Sequence, residues 1–92
     1  MDEIHIRAWG RVQGVFFRRA AQRAAKKLGL KGYVCNCSDG GVEICYLGNQ
    51  ENADTFLSAI QKTNPLVRID RKEVSVCTNA ESFSDFRIRD AV

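Results

Sequence analysis

From Ile4 the chain alternates, with Ile4, Ile6, Ala8 and Val12 on one parity and His5, Arg7, Trp9 and Arg11 on the other. A period of two marks a strand with one side on a core and the other toward water. Past Gly14 the period lengthens. Phe17, Ala21, Ala24 and Leu28 follow at intervals of four, three and four, which draws one stripe on a helix from about Arg18 to Leu28. Gly29 stands where a left-handed C′ cap belongs. Two β-prone runs, Tyr33 to Cys37 and Val42 to Leu47, flank Ser38-Asp39-Gly40-Gly41, and an Asp-Gly pair in that place predicts a hairpin. Gly48-Asn49 opens a second helix, with Asn49 as N-cap and Ala53, Phe56, Leu57 and Ile60 on one face, and Asn64-Pro65 ends it. Ile69 to Cys77 reads as a fourth strand and Phe83 to Arg89 as a short last one.

The order β-α-β-β-α-β with a terminal strand predicts an α+β fold, a split β-α-β sandwich. Both helices then cover one face of an antiparallel sheet and leave the other face wet. The length of 92 residues suits a single domain, 1–92. No repeat or linker interrupts it, and Thr78 to Ser82 is its one soft stretch. His5 is expected to face solvent, whereas the alternation leaves Trp9 to line the uncovered sheet face or to pack over a loop.

Hydrophobic residues make up 45% of the chain and charged residues 27%, which excludes a disordered polyelectrolyte. Fourteen Lys and Arg against eleven Asp and Glu give a net charge of +3, enough to favour small anions and too little for a dedicated nucleic-acid binder. Met1-Asp2-Glu3 begins no signal sequence, and no apolar run approaches the roughly 20 residues that cross a bilayer, so a cytoplasmic chain without a membrane span is expected. In that compartment Cys35, Cys37, Cys45 and Cys77 stay reduced by default. No metal site is expected, because Cys35 and Cys37 share one strand face while His5, the only histidine, lies far away along the chain.

The run Gly10-Arg11-Val12-Gln13-Gly14-Val15-Phe16-Phe17-Arg18 joins the end of a strand to the first turn of a helix. Gly14 lets the backbone turn its N–H groups inward. The helix start adds unpaired N–H groups and the positive end of its dipole. Arg18 adds a guanidinium that can hold two oxygens at once. Each charged hydrogen bond contributes about 1.5–3 kcal/mol, so several converging on one dianion make a usable site. The same residues also suit a plain glycine-shaped β-α turn with solvated arginines. The run is neither a Walker A loop nor a dinucleotide fingerprint.

This run resembles the signature of the acylphosphatase family, as does Gly32-Tyr33-Val34-x-Asn36-x-x-Asp39-Gly40-x-Val42-Glu43. Leu28-Gly29-Leu30, Pro65 to Asp70 and Phe83-x-x-Phe86-x-Ile88-Arg89 extend the likeness over essentially the whole chain. The resemblance implies a ferredoxin-like sandwich and hydrolysis of acyl phosphates to a carboxylate and inorganic phosphate. It places the phosphate-binding arginine at Arg18 and the water-orienting asparagine at Asn36. Backbone amides of Gly14, Val15, Phe16, Phe17 and Arg18 would hold the phosphoryl oxygens. No cofactor is implied, and the partners are the small-molecule substrate and inorganic phosphate or other anions. Read for itself, Asn36 also suits a plain strand-edge position before a turn. Phe16 departs from the smaller residues usual in the family and either narrows the mouth of the loop or packs on the helix.

Two other functions compete. A phosphate-binding regulatory module keeps the fold and the loop without turnover. A nucleic-acid module fits poorly, since the third strand, Val42-Glu43-Ile44-Cys45-Tyr46, carries a carboxylate where an RNA-recognition sheet needs basic and aromatic residues. No helix carries a second apolar stripe, so a monomer is expected.

Overall fold

The computed structural model describes residues 2–77 and 83–89. Its strands are β1 (Asp2–Arg11), β2 (Gly32–Asn36), β3 (Val42–Gly48), β4 (Arg68–Cys77) and β5 (Phe86–Ile88), with helices α1 (Phe17–Leu28) and α2 (Ala53–Thr63). They form one five-stranded sheet in the order β4-β1-β3-β2-β5. The predicted order of elements and the ferredoxin-like α+β architecture are both present. The soft stretch at residues 78–82 lies outside the described residues.

The alternation of β1 has its predicted consequence. Ile4, Ile6 and Ala8 are fully buried beneath the helices, together with Val34 and Ile44 of the neighbouring strands. Helix α1 meets them with Phe17, Ala20, Ala21, Ala24 and Ala25. Alanines at the contact bring the helix close to the sheet, and larger side chains of α2, Phe56 and Ile60, fill the rest. Leu28 leaves the predicted stripe and is exposed, because the chain turns off at Gly29. Gly29 adopts φ 70°, its N–H donates to Lys26 O at 3.2 Å, and the N–H of Leu30 donates to Ala25 O at 2.8 Å, a Schellman cap. Leu30 packs on the core in the place of Leu28.

Three expectations are corrected. The sheet is mixed rather than antiparallel, since β5 runs parallel to β2 through Gly32↔Phe86, Tyr33↔Arg87 and Val34↔Ile88. After β4 on one edge, the chain supplies the opposite edge, and Phe86 fixes the strand there by stacking edge-on against Phe56 at 5.9 Å. Second, Asn49 does not cap α2 with its side chain. A short 3₁₀ turn, Gln50–Asn52, intervenes, and the carbonyl of Asn49 accepts the Tyr46 hydroxyl at 3.3 Å. Third, the sheet face without helices is only partly wet. Cys35 and Cys45 are fully buried there, and Tyr33 lies beneath the Arg89 guanidinium (4.0 Å) and beside Phe83 (6.0 Å).

All four cysteines are free thiols. No helix among the described residues is long and apolar enough to cross a membrane.

Candidate active site

The loop between β1 and α1 is held from both sides. Val12 is buried, and the Gln13 side-chain amide donates to two carbonyls of the β2–β3 hairpin, Cys37 O at 2.8 Å and Gly41 O at 2.7 Å. From the other side, Asn64 at the end of α2 donates through Nδ2 to the Val15 carbonyl at 2.5 Å. Between these ties the backbone passes through two left-handed residues, Gly14 (φ 74°) and Phe16 (φ 60°). Glycine enters that region freely, whereas for a residue with a Cβ it costs about 1–2 kcal/mol. Phe16 therefore holds a strained conformation, and strain of this kind persists where the surroundings over-determine the loop.

The strained turn leads directly into α1. The first backbone bond of the helix runs from Ala20 N to Phe16 O at 3.1 Å, so the preceding N–H groups of the first turn have no helical acceptor. No side chain caps this end, and no acidic residue sits in its first turn. The positive end of the helix dipole thus faces an open position.

A pocket of about 380 Å³ opens here, lined by Gly14, Phe16, Phe17, Arg18, Asn36 and Ile88 among others. Arg18 is half-buried, and its one hydrogen bond to the described residues is a long contact of 3.5 Å from Nη1 to the Arg89 carbonyl. Among the described residues no carboxylate lines the pocket, while Arg18 and Arg19 both do. Asn36 is the last residue of β2, paired with Val42, and the hairpin beyond it is tied by hydrogen bonds. Cys37 N–H donates to Gly41 O at 2.8 Å, and the Asp39 carboxylate accepts from Gly41 N–H at 3.0 Å and from Trp9 Nε1 at 3.0 Å. These donors hold the Asp39 carboxyl below its ordinary pKa, the Gly41 amide contributing most.

Trp9 thus packs over the hairpin turn, with Arg71 stacked on its ring at 4.1 Å. The half-buried Cys37 thiol is pushed up by burial, with Arg7 opposing, which disfavours the reactive thiolate beside the site.

Of the loop residues singled out in the sequence, Gly14, Phe16, Phe17 and Arg18 meet Asn36 at one pocket. Val15 does not line it. Its side chain packs against the core and its carbonyl accepts from Asn64. The Phe16 ring, 71% accessible, lines the pocket rim and stays largely exposed. Sequence reasoning missed Gln13 and Asn64, whose roles depend on partners far along the chain. Gln13 lay inside the quoted run, but nothing in its spacing named its acceptors.

An α+β sandwich whose β-α junction offers helix-start amides and an arginine, with no carboxylate among the described residues lining it, defines a protein built to take a small oxyanion. More particularly, the chain belongs to the acylphosphatase family, whose profile matches residues 4–88. It is 36% identical over 88 residues to the acylphosphatase of Methylococcus capsulatus, covering 96% of each chain. It is 42% identical over 85 residues to that of Archaeoglobus fulgidus, covering 90% of this chain and 96% of the relative. The crystal structure of acylphosphatase from Bacillus subtilis superposes with a TM-score of 0.84 at 34% identity, covering 97% of this chain and 99% of that one.

Proposed function

We propose that this chain is an acyl phosphate hydrolase acting as a single domain and a monomer in the cytoplasm, with Arg18 and Asn36 as its catalytic residues. The observation that carries the reading is that Arg18 on α1 and Asn36 on β2 line one pocket at the start of a helix, with no carboxylate among its described lining residues. In this reading the phosphoryl oxygens rest on the amides of Gly14 to Arg18, and the guanidinium of Arg18 takes two of them. The side chain of Asn36 accepts a hydrogen bond from a water with its carbonyl and donates with its amide nitrogen to the phosphoryl group. A neutral amide adds no negative charge beside a dianion.

Water attacks phosphorus as the bond from phosphorus to the acyl oxygen breaks, giving a carboxylate, inorganic phosphate and a proton to solvent. The carboxylate leaves without a general acid because its conjugate acid has a low pKa. Positioning and charge stabilisation then carry the rate. Product phosphate occupies the same cradle and inhibits.

The test is benzoyl phosphate hydrolysis by the wild type and by Arg18→Gln, in chelator, with circular dichroism to verify folding. Loss of one preorganised donor is worth about 10²–10³ in kcat, so Arg18→Gln is expected to fold normally and lose at least that much. Turnover close to wild type in the variant defeats the assignment.

A further inference from the structure

On the sheet face that carries no helix, strand pairing sets three metal-ligating side chains against one another near the start of β1. Glu3 and His5 lie two residues apart on β1 and project to the same side, and His5 is the register partner of Cys45 on β3. Oε1 of Glu3 is 2.7 Å from Nε2 of His5 and 3.2 Å from Sγ of Cys45, and that sulfur is 3.7 Å from the His5 nitrogen. In a tetrahedral site with Zn–S about 2.3 Å and Zn–N or Zn–O about 2.0–2.2 Å, neighbouring donors stand about 3.3–3.6 Å apart. The Glu3–Cys45 and Cys45–His5 separations each lie within about 0.1 Å of this range, and the Glu3–His5 pair needs to open by about 0.6–0.9 Å.

The surroundings suit a cation. Glu3 and Cys45 are buried on rigid paired strands, whereas His5 reaches the surface. His5 lines a depression of about 370 Å³ together with Glu43, Glu73 and Arg7, two carboxylates against one guanidinium. A thiol, an imidazole and a carboxylate form the mixed donor set that zinc and similar borderline cations prefer, and a hard cation such as magnesium does not.

We propose that Glu3, His5 and Cys45 bind one thiophilic divalent cation of the zinc type, with the fourth position facing solvent and filled by water. On binding, the Cys45 thiol gives its proton to solvent and its sulfur bonds the metal. His5 offers Nε2 with its proton held on Nδ1, and Glu3 offers a carboxylate oxygen. One proton leaves per metal ion and no electron moves. From His5 to Arg11 the strand rises about 20 Å at about 3.3 Å per residue, so this site is separate from the oxyanion pocket and its metal takes no part in hydrolysis.

The experiment is a titration of the reduced full chain with Co²⁺, followed by absorption, then displacement with Zn²⁺. We expect one-to-one binding with a thiolate-to-cobalt charge-transfer band and the strong d–d bands of four-coordinate cobalt, both abolished by Zn²⁺. The charge-transfer band should be lost in Cys45→Ser and kept in Cys77→Ser. His5→Ala, at a half-exposed position, should fold, turn over benzoyl phosphate like the wild type, and bind Co²⁺ at least about tenfold more weakly. Zn²⁺ should raise the Tm of the wild type and leave that of His5→Ala unchanged. Absence of a thiolate band at Co²⁺ concentrations on the order of millimolar, or a band that survives in Cys45→Ser, overturns the proposal. Neither result bears on the reaction at the oxyanion pocket.

Discussion

Replacing Gln13 with alanine removes both hydrogen bonds that tie the oxyanion loop to the hairpin carrying Asn36, those to Cys37 O and Gly41 O. Each contributes about 0.5–1.5 kcal/mol net, so the variant is expected to lose about 1–3 kcal/mol of stability. For a domain of this size each kcal/mol moves Tm by about 4–8 °C, which puts the drop at roughly 4–24 °C. The kinetic effect should be selective. Arg18 and the helix amides do not depend on Gln13, so inhibition by inorganic phosphate should change by less than about threefold, within the scatter of a weak contact. The distance between the cradle and Asn36 does depend on Gln13, and a misplacement of about 1 Å can cost about 10²-fold in rate. Gln13→Met, of similar length but without donors, separates lost hydrogen bonds from lost volume and should behave like Gln13→Ala. The assays are thermal unfolding by circular dichroism, benzoyl phosphate kinetics, and phosphate inhibition. A lowered Tm with kcat within twofold of wild type would refute the reasoning, because Gln13 would then only stabilise. Phosphate affinity falling in step with kcat would refute it too, by showing that the cradle itself needs Gln13.

Phe16→Gly should relieve the left-handed strain while giving up an exposed ring, for a net gain of about 0.5–1 kcal/mol after the entropy that glycine adds to the unfolded chain. A lower Tm than wild type by thermal unfolding would contradict it. Burial pushes the Tyr46 hydroxyl up from 10.0 to about 12, so the unfolded chain releases this proton first, and stability that is intact below pH 10 should fall between pH 10 and 12. Urea unfolding across that range should show Tyr46→Phe losing less stability with pH than the wild type, and parallel curves would remove Tyr46 as the cause. Sedimentation at micromolar concentration should give a monomer, and a dimer there would contradict the single apolar stripe of each helix.

Features set by near neighbours in the chain were legible in the sequence. The alternation of β1, the Gly29 cap and the Asp39-Gly40 hairpin each rest on a few consecutive residues, and all three stand as read. Arg18 and Asn36 were singled out because they sit in ordered runs, although what brings them to one pocket is the pairing of β1 with β3 and of β3 with β2. What stayed hidden depends on partners chosen across the sheet. The parallel course of β5 follows from which edge the last strand joins, and a run of alternating residues is the same in either direction. The acceptors of Gln13 are 24 and 28 residues away. The distance of His5 along the chain from Cys35 and Cys37 argued against a metal site, yet His5 and Cys45, 40 residues apart, are direct cross-strand partners because the sheet sets β3 beside β1. Separation along the chain is therefore a poor measure of ligand geometry in this fold. Every residue of the interior strand β1 has a lateral neighbour from β3 or β4, and chemistry on its open face must be sought across the register rather than along the chain.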